Sequence, residues 1–504
     1  MIRYSLFLLL LYPLGFFAQN FSPLQNHIEK RDSLLRLDSL HFAGQEINLS
    51  PAEKELNKRM RAIQKAELAR YKAEHFFPPA RYFYHSKDHI RQHPIFKLFQ
   101  QMPKGGILHL HDLAMADADW IIQKAIATPE MHVYWGEEKE GLTKGQMYAY
   151  KPGTAPQGFQ TAAQLAKQIK GFEQELKSLI TFDASIDGDS VDIWYEFEAI
   201  FQRVFGFSYY RPIYGDYVLQ GIKNLLEDQV KHVEIRGRFD EDLYDVEGNK
   251  SSYVEVIEII EEVYEKAKKL EADFSLSLIW ANLRFMDKEI IWKDIQKALK
   301  VHKAYPHLIK GYDLVAEEDN GKPTLYHAEE FLKLNQIVAE EGLDFFLYLH
   351  DGESNWMHTD NLYDALLLDS KRLGHGFNLF RFPQLMKWVR EHNVCIEVNP
   401  LSNQILGYIR DLRMHPASMY LRSGIDCTIN SDDPQLFDYK GLSYDFWSVY
   451  MAWELDLAAV KSLCRNSLKH AALSKQAKER ALASWEKSWN RFIQEALANW
   501  EIKN

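Results

Sequence analysis

The sequence predicts an α/β protein built as a (β/α)8 barrel of the TIM type, with an N-terminal helical extension and an insertion after strand one. Three observations predict it. From residue 105 onward, short runs rich in apolar and β-branched residues alternate with longer stretches of helical period, the pattern of repeated parallel βαβ units. There are eight such runs, the number that closes a barrel. Ionisable residues collect at the C-terminal ends of four of them, where such a barrel builds its site.

In chain order, "MIRYSLFLLLLYPLGFFAQN" offers Arg3, an apolar core from Leu6 to Leu11, and Ala18 before a cut. This reads as a signal peptide over residues 1–18, too short for a transmembrane helix. It predicts an exported protein, periplasmic or secreted, with no membrane contact after signal removal. Residues 19–104 read as a helical segment that packs on the main domain or on a second subunit, making a homodimer the expected assembly. Within it, "SPAEKELNKRMRAIQKAELARYKAEHF" opens on a Ser-Pro cap and carries mixed charges at helical spacing.

The barrel domain spans 105–504 and opens on "GGILHLHDLA". The gap to the second run, "KHVEIRGRF" at 231–239, is far longer than one helix. It predicts an inserted lobe at about 118–190, rich in turn residues and aromatics, followed by the helix "DIWYEFEAIFQRVFGF". The remaining strands are "FSLSLIWANL", "LIKGYDLVAEE", "DFFLYLHDGE", "RLGHGFNL", "VCIEVNPLSNQ" and "DCTINSDDP". Helices are expected between them, for example at 253–272 and 327–342, and again at 441–503.

Composition narrows the function. The formal net charge is −11 with no extended Lys/Arg run, which argues against nucleic acid or anionic membrane as partner. A mononucleoside or another small neutral substrate is compatible with it. Cys395, Cys427 and Cys464 are the only cysteines; an odd number without a CxxC pair argues against a disulfide scaffold and a thiolate metal site. Cys395 and Cys427 lie in apolar runs and read as buried free thiols. The chain contains no GxGxxG, Walker loop or GxSxG elbow, and lacks the HxE…PCxxC pattern of deaminases that act within nucleic acid.

His109 and His111 alternate on a strand and so share a face. Taken alone, the geometry permits joint ligation but does not require it, and ordinary residues of a half-buried strand are the plainer reading. His350 and Glu353 end the fifth strand, His375 lies between two glycines in the sixth, and Asp432 and Asp433 end the eighth. Buried ionisable groups need partners, and a divalent metal supplies one. His109, His111, His350 and Asp432 suit one zinc ion per chain with a position left for water, which zinc would activate as a nucleophile. His375 is then placed to orient or deprotonate the water, and Glu353 to give a proton to the substrate. Asp433, facing away from Asp432 on a continuing strand, suits a hydrogen bond to substrate. By contrast, His327 and Glu330 read as surface residues at a helix start. Phe197 and Phe201, at helical spacing with Trp194, fit core packing as well as substrate stacking.

The motifs "MPKGGILHLHD", "GYDLVAEEDNG", "HDGE", "DSKRLGHGF", "NPLSNQ" and "SDDPQLF", in this order, resemble the adenosine deaminase superfamily. With "FPPARYF", "WYEFEAIF", "HVEIR" and "KGLSYDFW", the resemblance is to its secreted adenosine deaminase 2 branch, also called adenosine deaminase-related growth factors, over roughly residues 50–500. It implies zinc-dependent deamination of adenosine, and of 2′-deoxyadenosine, with His109, His111, His350 and Asp432 as ligands. Glu353 would protonate purine N1, His375 handle the water and Asp433 contact N7. Asp112, Trp194 and Glu198 would contact the nucleoside, and the Ala316 N–H the purine. Three positions depart from the family pattern: Ala316 for glycine, Asp351 for alanine beside a ligand, and Leu283 for a substrate-contacting histidine. They keep open a deaminase of another 6-aminopurine derivative, and a secreted binding or signalling protein with vestigial catalysis is a further alternative.

Overall fold

The computed structural model describes residues 22–39, 42, 44–139, 141–186, 192–239 and 242–500. The expected signal peptide lies outside the described residues. Eight parallel barrel strands run Gly105–Ile107, Val230–Gly237, Ser275–Leu283, Ile309–Val315, Phe346–Leu347 continued by His350–Asp351, Arg372–His375, Cys395–Val398 and Cys427–Ile429. Neighbours in sequence pair with one another: the first five segments form one parallel sheet, and His350–Asp351 heads the other. The fifth strand joins the two, since Tyr348 N–H donates to Tyr312 O and Gly374 N–H to Leu349 O. A bridge from Leu110 to Asp432 closes the eighth strand onto the first.

The strand cores are almost wholly buried, as parallel strands covered by helices must be; from Leu276 to Asn282 every residue is buried. The regular part of the first strand is shorter than the alternation implied, ending at Ile107. His109 and His111 nevertheless stay in register, because the backbone continues with a bridge from His111 to Arg236.

The stretch between strands one and two contains helix Ala118–Ala127, then a three-stranded antiparallel sheet of Met131–Tyr134, Met147–Ala149 and Phe159–Thr161. Helices Ala162–Gln168 and Phe172–Ile180 complete this unit. It packs on helix Ile193–Ser208: Arg203 Nε donates to Lys144 O, and Tyr244, from beyond the second barrel strand, bridges the two by accepting from the Ala149 N–H and donating to Gly206 O.

Ahead of the barrel lie helices Pro23–Ser39 and Pro51–Glu74. Ser50 and Glu53 cap the second reciprocally: Ser50 N–H donates to Glu53 Oε2 at 2.7 Å, and Glu53 N–H to Ser50 Oγ. The other carboxylate oxygen of Glu53 accepts from Lys461 Nζ and Trp489 Nε1, each at 2.8 Å. One buried carboxylate thus caps its own helix and fastens it to two C-terminal helices, Leu457–Lys469 and Lys475–Ala498. All three cysteines are buried free thiols.

His327 and Glu330 correct the surface reading made from sequence. Both are buried: Thr324–His327 forms a 3-10 turn before the helix starts, with the Thr324 N–H donating to Asn361 Oδ1 and His327 Nε2 lying 3.4 Å from Arg284 O.

Candidate active site

The C-terminal ends of the strands open into a cavity of about 560 Å³. Among its lining residues are His111, Asp112, Trp194, Glu198, Ala316, His350, Glu353, His375, Asp432 and Asp433. His109 lies beneath this floor, fully buried. Ring centroids of His109 and His111 are 5.4 Å apart, of His109 and His350 4.3 Å, and of His111 and His350 5.2 Å.

Carboxylates hold the far side of two of these rings. His109 Nδ1 lies 2.9 Å from Glu397 Oε2 and His350 Nδ1 lies 2.6 Å from Asp313 Oδ2. Each ring is thereby held with its Nε2 toward the cluster centre. There, His109 Nε2 and His111 Nε2 each lie 3.2 Å from Asp432 Oδ1, and His350 Nε2 is 3.3 Å from His111 Nε2. His109 Nε2 and Asp432 Oδ1 are buried without a hydrogen-bond partner, an expensive condition unless something else engages them. Carboxylate-oriented imidazoles around a buried aspartate are the donor set of a divalent N/O metal site, so this cluster fits a divalent metal ion. His375, with its ring 4.7 Å from that of His109, belongs to the same cluster.

Sequence reasoning did not single out Glu397, Asp313 and Arg236. The available signal was a charged residue in the middle of an otherwise apolar strand, as in "VCIEVNP" and "GYDLV". Also missed was Ser402, whose hydroxyl donates to Asp432 Oδ2 at 2.7 Å. Glu318 was missed too; it accepts the Glu353 N–H at 2.7 Å and an Asn361 amide hydrogen at 2.8 Å. These bonds tie the loop after strand five to the loop after strand four.

The electrostatics separate the carboxyl groups. Burial, reinforced by Asp432 and Glu318, pushes the Glu353 carboxyl well above its usual range. Asp433 is raised likewise by burial and by the adjacent Asp432. Burial works against ionised Asp432, but His109, His111 and His375 outweigh it and hold this carboxyl well below the usual range. Burial drives the His375 imidazole well below its ordinary value despite the attraction of Asp432. Asp112, raised to about 7 by burial although Tyr209 opposes the shift, accepts the Tyr209 hydroxyl at 2.9 Å. Gly237 is required beside it, because a Cβ there would sit 2.7 Å from Asp112 Oδ2.

One expectation needs correction. Asp433 does not face away from Asp432 across a continuing strand. The strand ends at Ile429, Asp432 takes a left-handed backbone with φ 62°, and both carboxylates line the cavity. Asp351, next to ligand residue His350 in the chain, has partners of its own. It accepts from Thr324 Oγ1 at 2.7 Å and lies 3.4 Å from the buried Arg284 guanidinium, which itself donates to His350 O. Ala316 has φ 85°, a conformation natural to glycine and strained for alanine. Leu283, Phe201 and Phe205 give the cavity an apolar wall. Phe197 serves core and cavity together: it is buried, packs edge-on against Trp194 and Phe201, and lines the pocket.

Comparison with known proteins gives the family and the fold. Residues 214–487 match the family model "Adenosine deaminase", and residues 6–99 match "Adenosine/AMP deaminase N-terminal". Adenosine deaminase 2 of Sus scrofa is 31% identical over 488 residues, covering 93% of this chain and 94% of the relative. Adenosine deaminase of Phlebotomus duboscqi is 33% identical over 470 residues, covering 90% of this chain and 89% of the relative. Among solved structures, Arabidopsis ADAL complexed with IMP has the same fold, with a TM-score of 0.58 at 13% identity, over 78% of this chain and 99% of that one.

Proposed function

The chain belongs to the adenosine deaminase family, in its adenosine deaminase 2 branch, and on that premise we propose a zinc-dependent hydrolase that deaminates adenosine and 2′-deoxyadenosine at purine C6. The observation that carries this reading is the convergence of His109, His111, His350 and Asp432, two of the rings locked by Glu397 and Asp313. When bound there, zinc supplies the Lewis acidity that makes water nucleophilic near neutral pH.

The chain's own groups supply the proton traffic. Glu353, held protonated by burial and by Asp432, donates its proton to purine N1 as the attacking oxygen adds at C6. His375, kept neutral by burial, accepts one proton from the water and gives it to the departing amine; the oxygen left on C6 returns its remaining proton to Glu353, so ammonia leaves, the 6-oxopurine remains and the acid is restored. Asp433, raised by burial and by Asp432, retains a proton it can donate to N7. Asp112, Trp194 and Glu198 line the cavity and are read as contacts to the nucleoside, with the Ala316 N–H facing the purine.

Purified protein of known metal content, mixed with adenosine, should give the ultraviolet change to inosine; zinc-loaded protein without turnover would overturn the reading. A second reading, another 6-aminopurine derivative as best substrate, is favoured by Leu283 and the Ala316 methyl in the cavity wall. A panel of N6- and ribose-modified adenosines separates the two.

Export to the periplasm or medium is read from the N-terminal sequence, and among the described residues no helix is long and apolar enough to cross a membrane. A homodimer is supported by helix Pro23–Ser39, which leaves Leu24, Ile28, Leu34, Leu35 and Leu37 exposed. Light scattering on the purified protein tests it, a monomeric mass being the contrary result.

A further inference from the structure

We infer that Arg236 is a positioning residue that ties the two carboxylate-held histidines, His109 and His350, into one unit and thereby sets the affinity of the metal site. Its side chain is fully buried at the centre of the barrel. Arg236 Nε donates to Asp313 Oδ2 at 2.7 Å, the same oxygen that holds His350 Nδ1. Its Nη2 donates to Glu397 Oε2 at 2.6 Å, the same oxygen that holds His109 Nδ1. The third nitrogen, Nη1, donates to Leu108 O, and the Arg236 backbone N–H donates to Leu110 O at 2.8 Å. One residue therefore brackets His109 along the chain on both sides, and grips through carboxylates the rings of two ligands from different strands.

The planar fork explains why arginine stands here. Three acceptors around one guanidinium can be met only by several N–H groups in fixed directions, which a lysine ammonium does not offer. Arg372 provides an internal contrast. It is equally buried and donates to Glu397 Oε1 and to Glu234 Oε2, each at 2.5 Å, and to His470 O. It supports one of the two orienting carboxylates and does not touch Asp313. Loss of the fork at 236 releases both rings, whereas loss of the fork at 372 loosens one.

This inference rests on the zinc reading above, and the experiment separates the two. Zinc affinity is measured by chelator competition on the whole chain, with thermal unfolding of the metal-free protein recorded alongside. If the unaltered protein binds no zinc, the zinc reading itself fails. With zinc bound by the unaltered protein, Arg236→Lys should weaken affinity by about 10–100-fold, the usual range for disturbed outer partners of metal ligands. Arg372→Lys should weaken it clearly less, at a comparable loss of metal-free melting temperature. Unchanged zinc affinity in R236K, or equal losses in both variants, overturns the inference. Should R236K not fold, Asp313→Asn, Glu397→Gln and their double variant decide it. Coupling through a shared guanidinium makes their effects on affinity non-additive; fully additive losses overturn it.

Discussion

Glu353 Oε1 lies 3.1 Å from His375 Nδ1, on the floor of the cavity beside the four clustered ligand residues. The same nitrogen lies within 3.2 Å and 3.4 Å of the amides of Asn399 and Asn403. The proposed proton donor and the proposed proton carrier thus stand side by side, while Glu353 Oε1 itself has no hydrogen-bond partner.

Replacing Glu353 by glutamine keeps the shape and removes the proton. We expect kcat to fall by about 10²–10⁴-fold, the usual contribution of a general acid, with one zinc per chain retained. Inosine formation and metal analysis on the same sample check this; an active variant would refute the acid role.

Zinc removal should abolish activity and lower stability together, because His109, His111, His350 and Asp432 are left crowded and partly unpartnered. Linkage adds about 2.7 kcal/mol at free zinc 100-fold above Kd. A melting temperature independent of zinc concentration would count against the site.

The strain at Ala316, with φ 85°, gives a prediction of opposite sign. Left-handed backbone costs an L-residue about 1–2 kcal/mol, while glycine returns part of that through unfolded-state entropy. Ala316→Gly should therefore raise the unfolding free energy by up to about 1 kcal/mol. Urea denaturation measures it, and a destabilised variant would contradict the strain.

Away from the site, Glu53 gives a pH signature. Burial raises its pKa, but Lys461, Ser50 and Trp489 prevail and lower it from 4.5 to about 2. The folded value lies below the unfolded one, so the stabilisation is present above pH 4.5 and is lost as pH falls through about 2. Glu53→Gln should cost about 1–3 kcal/mol at neutral pH, as for hydrogen bonds to a charged group. The difference from the unaltered protein should close toward pH 2; a pH-independent difference would show that the charge is not responsible.

Much of the site was legible because its residues stand at strand ends, and strand ends announce themselves by periodicity. His109, His111, His350 and Asp432 could be grouped on that basis. The orienting residues could not, since a lone Glu397 or Asp313 in an apolar strand does not name its partner. His327 read as surface because it stands at a helix start, whereas a 3-10 turn buries it. Asp351 read as a charge added at a ligand, whereas Arg284 and Thr324 take it up.

By itself the sequence determined the barrel, the inserted unit, the chemistry of the donor set and the strand ends that carry it. Residue type and periodicity are local properties, so one chain displays them without folding. Only the tertiary structure decided which carboxylate orients which histidine, that Arg236 joins them, and that Asp432 and Asp433 share a cavity. The physical reason is that a buried charge must be answered, and the answering groups here come from strands 77 and 161 residues away along the chain. Closure of the barrel alone brings them within hydrogen-bond reach.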